Sequence, residues 1–124
     1  MSATKLPKGC PEIGLTIRVG RPEGGCGLGH FDPAKREIVV SPNQPRAGMH
    51  VVLLHELLHA VDEAMVGAGV TRRRTSHRWI ESAALNLLLA LVTAGLYRGV
   101  DKAELLAFYA GRGRRKRRIA GGGR

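Results

Sequence analysis

VVLLHELLHAVDE, at Val51–Glu63, is the stretch from which both the fold and the candidate site can be inferred. As far as Val61, the residues around His55, Glu56 and His59 are all apolar, which predicts a helix buried nearly all round. Residues four apart share one helix face, so the two imidazoles can point the same way. Polar groups in a buried helix need partners, because unpaired burial is costly. One shared metal ion would satisfy both histidines.

The spacing of these three residues is the pattern H-E-x-x-H, in which two imidazoles supply half of a tetrahedral zinc site. Glu56 can sit beside Zn²⁺ without ligating it and take a proton from a metal-bound water, which makes it the candidate catalytic base. The competing interpretation is a chance match, in which His55 and His59 are core residues with protein partners.

A catalytic zinc ion normally has a third protein ligand. The extended pattern H-E-x-x-H-x-x-G-x-x-H is excluded, because Asp62 and Met65 occupy its last two defining positions. The next predicted helix offers His77 and Glu81, which are four apart and can share a face near its start. Glu81 is slightly favoured, since a carboxylate among apolar residues needs a cationic partner. Both residues remain candidate ligands.

Three other polar residues, Asp62, His50 and His30, have either a supporting or a structural role. Asp62 lies seven residues after His55, on the same helix face, where it is either an acceptor for an imidazole N–H or a surface carboxylate. His50 is turned about 140° from His55 around the helix, at about 100° per residue. His50 and His30 are therefore interpreted as structural or surface residues.

The chain has 124 residues and 44% hydrophobic residues, which suits one globular domain with a modest core. Seven of the ten net positive charges lie in residues 112–124, which contain no acid. Residues 1–110 are therefore predicted to form the domain, and residues 111–124 a disordered basic tail. Such a tail either solubilises the protein or contacts nucleic acid without reading its sequence, and the candidate contacts are Arg114, Arg115, Lys116, Arg117 and Arg118.

Hydrophobic periodicity predicts an α+β fold in which a short N-terminal hairpin and strands pack on two or three helices. The predicted strands are Ile13–Val19, Leu28–Phe31 and Arg36–Ser41. The predicted helices run from about Ala47 to a glycine cap at Gly67–Gly69, from about His77 to Tyr97, and from Asp101 to near Tyr109.

The apolar run Ala83–Leu96 is shorter than the roughly 20 residues that a membrane span requires. The N-terminal residues show no signal-peptide pattern, so a cytoplasmic protein with no membrane partner is expected. Cys10 and Cys26 are expected to be free thiols, because two cysteines in that setting are poor evidence for a disulfide.

GHFDPAKREIVVSPNQP at residues 29–45, followed by VVLLHELLHAVDEA at residues 51–64, resembles small zincin-type, gluzincin-like proteins of phages and bacteria. That group includes the ImmA/IrrE-type metallopeptidases, and the resemblance covers about residues 13–97. It implies a minimal zincin-like domain, with a β-hairpin before the H-E-x-x-H helix, a ligand from a later helix, zinc, and peptidase-like chemistry. Phage proteins of this sort often carry an acidic residue after a serine at the start of the second helix. Here Ser76 is followed by His77.

Two functions follow as hypotheses. The first is a zinc metallopeptidase acting on a peptide or protein, with the GGCGLG segment and strand Arg36–Ser41 as the sheet edge that receives an extended substrate. The alternative is a nucleic-acid-associated protein without peptidase activity, which uses the zincin-like scaffold together with the tail and Arg72–Arg74. Glu56 distinguishes them, because a purely structural zinc site does not need a base.

Overall fold

In the described residues, four short strands come first and three helices follow, as the predicted α+β class requires. The computed structural model describes residues 5–22 and 27–111. The strands are β1 (Gly9–Cys10), β2 (Leu15–Val19), β3 (Gly29–Asp32) and β4 (Glu37–Val40). The helices are α1 (Arg46–Gly67), α2 (His77–Thr93) and α3, which begins at residue 102 and reaches residue 111, the last described residue.

The sheet has the strand order β1-β2-β4-β3. β3 and β4 form the predicted antiparallel hairpin, with Phe31 opposite Ile38. β2 runs parallel to β4 and pairs Ile17 with the same Ile38, so β4 is an interior strand. The expectation that Arg36–Ser41 forms a sheet edge is therefore wrong, because β2 and β3 occupy both of its sides. The edge strand next to β4 is β3.

Helix α1 lies between the sheet and the other two helices. One face packs Met49, Leu53 and Ala60 against the sheet, and the opposite face packs Val51 and Leu54 against the other helices. The partners on the sheet are Leu15, Phe31, Ile38 and Val40, and those on the far side are Ala84, Leu88, Val100 and Leu105. Because both faces are covered, α1 must be apolar nearly all round, as its sequence predicts.

Glycines end the first two helices. Gly69 has φ 76°, and the N–H groups of Gly69 and Val70 donate to the carbonyls of Val66 and Met65, which confirms the predicted cap. Gly95, with φ 75°, ends α2 by the same pattern, so this helix stops at Thr93. The prediction that it continues to Tyr97 is wrong, because a left-handed glycine interrupts it.

The N-terminal boundaries also differ from the prediction. Pro11–Ile13 forms a 3₁₀ turn and Gly14 has φ 66°, so the second strand begins at Leu15 rather than Ile13. The residues before the first predicted strand contribute β1, whose Gly9 pairs with Thr16 of β2. Within residues 5–22 and 27–111, none of the helices combines the length and apolar character needed to cross a membrane.

Candidate metal centre

The two histidines of the motif meet on one face of α1. Their Nε2 atoms are 3.1 Å apart, their ring centroids are 4.8 Å apart, and both side chains are partly buried. A spacing of four residues brings side chains together in this way, so local helix geometry alone produces the pair.

The first residue of α2 adds a third imidazole. The ring of His77 lies 4.7 Å from that of His55 and 5.4 Å from that of His59, measured between centroids. In the part of the chain that the structure describes, these three form the one group of His, Cys, Asp or Glu residues with ligand atoms all within 4.8 Å of one another. The site thus draws two side chains from the middle of α1 and one from the exposed start of α2.

Glu81 is not a member of this group, although the sequence slightly favoured it as the third ligand. It lies four residues after His77 and is partly buried. A shared helix face was therefore not enough to choose between the two candidates. The geometry places the imidazole at the helix start, and not the Glu81 carboxylate, in one group with the motif pair.

The three imidazoles fit a zinc ion. Two nitrogens that are each about 2.0–2.1 Å from a tetrahedral zinc lie about 3.3 Å apart. The 3.1 Å between the Nε2 atoms of His55 and His59 is close to that distance. His77 is exposed and its ligand atom lies within 4.8 Å of both others, so a modest side-chain movement completes the set. A three-histidine set also leaves one position of the tetrahedron free, as a catalytic site requires.

Burial keeps His59 in the form that binds metals. Its pKa is lowered by burial and by the neighbouring His77, against the opposing effect of Asp62. Only the neutral imidazole has a lone pair to offer a cation, so the lowered pKa favours ligation at neutral pH.

Glu56, which follows His55 in α1, carries a buried carboxyl group, with only 7% of the residue's surface exposed. Burial raises its pKa to about 7. A cation held by the neighbouring histidines would favour the ionised form, which is the form that accepts a proton. This burial and this raised pKa are those of a candidate general base near neutral pH.

The edge strand β3 begins against Glu56. A Cβ atom on Gly29 would lie 3.5 Å from the Cγ of Glu56 and only 2.3 Å from a methyl carbon of Val52. Only glycine allows the β3 backbone to approach α1 so closely. Gly29 is not among the site residues predicted from the sequence, although a glycine that opens a strand is the signal for such an approach.

Asp62 has a role that neither sequence interpretation anticipated. Its carboxylate accepts three hydrogen bonds from Thr75, and these bonds hold its pKa below the usual range. With 9% of its surface exposed, it is not a free surface carboxylate. It ties α1 to the loop that leads into α2.

The other histidines lie outside the centre, as predicted. His30 is on the outer face of β3, where it lines a polar cavity of about 220 Å³. His50 is 1% exposed and its Nδ1 contacts the hydroxyl of Tyr97. Among the cysteines, Cys10 is a free thiol that donates to Glu12, and Cys26 lies outside the described residues.

The basic segments are only partly described. Arg72–Arg74 are exposed, and Arg74 forms an ion pair with Glu63 at 2.9 Å. The five candidate nucleic-acid contacts, Arg114, Arg115, Lys116, Arg117 and Arg118, lie outside the described residues. No family model, curated protein or solved structure matches this chain.

Replacing Glu56 by glutamine should stabilise the metal-free protein at pH 8. The raised pKa means that the folded state keeps a proton between pH 4.5 and about 7 that the unfolded chain releases, so stability falls as pH rises through this window. At about 1.4 kcal/mol per pKa unit, the full effect is about 3 kcal/mol. Glutamine does not ionise, so the Glu56→Gln protein should be more stable than the unaltered protein at pH 8 and equally stable at pH 4.5.

Urea unfolding in the presence of a chelator, at both pH values, measures this difference. Glu63→Gln is the matched control, because it removes one carboxylate from the same helix at a more exposed position. An equal effect of Glu56→Gln at the two pH values would contradict the assignment of a buried, proton-holding carboxyl.

Proposed function

We propose that the protein is a zinc-dependent metallopeptidase. The observation that carries the proposal is the convergence of the His55, His59 and His77 imidazoles from two helices, with the buried carboxyl group of Glu56 following His55 in α1. Here the Nε2 atoms of the motif histidines face each other, with a third imidazole alongside, which suits a shared cation.

The site residues have two roles, metal binding and proton transfer. His55, His59 and His77 would hold Zn²⁺, which when bound supplies a Lewis acid that polarises a peptide carbonyl and acidifies water. Glu56 accepts a proton on its carboxylate from the water that attacks the carbonyl carbon. When the C–N bond breaks, the same carboxyl returns that proton to the departing amine nitrogen.

The edge strand offers a place for the substrate. β3 is the last strand of the sheet, so one side of its backbone is not paired with another strand. An extended peptide can add to such an edge through main-chain hydrogen bonds. Because Gly29, the first residue of β3, packs against Glu56, a peptide aligned along β3 would pass close to the base. This placement replaces the edge that the sequence analysis assigned to Arg36–Ser41.

Zinc content is the direct test of the centre. Purified protein, loaded with zinc and then dialysed, should retain one zinc per chain, because a single three-histidine group is present in the described residues. Removing one of two adjacent ligands should abolish this retention, so His55→Ala should hold well under one equivalent. His30→Ala, which changes a histidine on the outer face of the sheet, is the matched control and should keep its zinc. Retention well below one equivalent in the unaltered protein would refute the metal centre.

The second candidate function is a nucleic-acid-associated protein built on the same scaffold. Its support is the charge distribution, with seven of the ten net charges in residues 112–124 and Arg72–Arg74 exposed near the centre. The two functions are compatible, since a basic segment can bring a peptidase to nucleic acid. They differ in Glu56, which only the peptidase requires.

A further inference from the structure

The loop between α1 and α2 is fastened to α1 immediately before His77. The backbone N–H of Thr75 donates to Oδ1 and Oδ2 of Asp62 at 3.1 and 3.0 Å, and its hydroxyl donates to Oδ1 at 2.7 Å. Asp62 is 9% exposed and stands three residues after His59. Both carboxylate oxygens thus hold one residue of the loop.

The chain between this attachment and His77 is short and ordered. Ser76 follows Thr75 and caps α2, since its hydroxyl accepts a hydrogen bond from the N–H of Trp79 at 3.2 Å. His77 is the next residue and the first of the helix. Two residues span at most about 7 Å, so the position of Thr75 limits where the His77 imidazole can lie.

Of the three imidazoles, that of His77 has the position least fixed by its own helix. His55 and His59 share one continuous helix, whose geometry sets their spacing. His77 comes from a different helix across the loop at residues 68–76, and its side chain is exposed. If a metal-binding side chain becomes ordered only when the metal binds, the entropy lost lowers the metal affinity. A side chain that is already held in place does not carry this cost.

We propose that Asp62 is a positioning residue for the metal centre. By holding Thr75, its carboxylate sets the place of His77 relative to the His55–His59 pair and thereby strengthens zinc binding. This inference rests on the metal centre of the proposed function but does not depend on peptide hydrolysis.

The test measures zinc affinity by competition with a chromophoric chelator at one fixed pH, with circular dichroism to confirm folding. Asp62→Ala should weaken zinc binding by about tenfold or more, in the range of 10–100-fold found when groups that orient metal ligands are removed. Glu63→Gln is the matched control, because it breaks an exposed ion pair between the neighbouring residue and the same loop. Exposed pairs contribute little, so this variant should bind zinc within about twofold of the unaltered protein.

A pair of variants at Thr75 tests the same contact from the other side. Thr75→Ser keeps the hydroxyl donor and should bind zinc like the unaltered protein. Thr75→Val has nearly the same shape but loses one of the three hydrogen bonds, so it should bind zinc several-fold more weakly than Thr75→Ser. If Asp62→Ala does not fold, this pair decides the question, and equal affinities for the two variants would overturn the proposal.

A double-mutant cycle separates positioning of His77 from general support of the fold. If Asp62 acts through His77, Asp62→Ala should change the zinc affinity of the His77→Ala protein by less than about twofold. An equal loss with and without His77 would overturn the proposal, as would a folded Asp62→Ala protein with unaltered affinity. Zinc binding with the expected cycle but without hydrolysis would refute the peptidase and leave the role of Asp62 intact.

Discussion

The Glu56→Gln protein should bind zinc like the unaltered protein and hydrolyse peptides about a thousandfold more slowly, within the 10²–10⁴-fold range that general acid–base groups contribute. Glutamine is nearly isosteric with the buried carboxylate but cannot accept the proton of the attacking water. The three imidazoles are unchanged, so the metal centre should persist. The expected loss is therefore in kcat/KM, measured on a mixture of quenched fluorescent peptides with the zinc-loaded protein.

Two controls make this result interpretable. Zinc content measured on the same samples shows whether the variant has lost a proton acceptor or its metal. Glu63→Gln, which removes a carboxylate that pairs with Arg74 and is not part of the imidazole group, should retain full turnover. Equal hydrolysis by Glu56→Gln and the unaltered protein would exclude Glu56 as the base. If the unaltered protein binds zinc but cleaves no peptide, the scaffold hypothesis is favoured instead.

The second large effect is expected at the third ligand. His77→Ala should weaken zinc binding by more than about a hundredfold, because it removes a ligand itself rather than a group that orients one. His77 meets the rings of both motif histidines, so no other imidazole in the described residues can take its place. Chelator competition measures the change.

Glu81→Ala provides the comparison, since it changes the other sequence candidate on the same helix. We expect its zinc affinity to stay within about twofold of that of the unaltered protein, because Glu81 is not part of the grouped ligands. The opposite result, with a large loss at Glu81 and none at His77, would restore the His-His-Glu set that the sequence favoured.

Much of the fold follows from local patterns in the sequence. The all-round apolar character of Val51–Val61 predicts a helix buried on both faces, and α1 lies between the sheet and the other helices. The spacing of His55 and His59 requires only an α-helix to bring their nitrogens together. Gly69 ends the helix because a left-handed residue is needed there. Each of these features depends on residues within a turn or two of one another.

The sheet order could not be predicted in the same way. β2 pairs in parallel with β4, Ile17 beside Ile38, although β3 lies between these two strands along the chain. The local alternation of apolar residues does not predict which strands become neighbours in the sheet. That pairing makes β4 an interior strand and leaves β3 at the edge. The approach of Gly29 to Glu56 has the same origin, because it depends on how the sheet packs on α1.

The third member of the imidazole group is the feature that the sequence by itself could not predict. His77 and Glu81 are equally compatible with one face of α2, so helical periodicity ranks neither of them. The choice depends on where α2 begins relative to α1. That relation is set by the packing of Leu54 against Ala84 and Leu88, and the loop between the helices is fastened by hydrogen bonds from Thr75 to Asp62, thirteen residues earlier in the chain. The sequence determined the helix that carries two imidazoles, and only the contact between the two helices, made by groups distant in the chain, decided which side chain joins them.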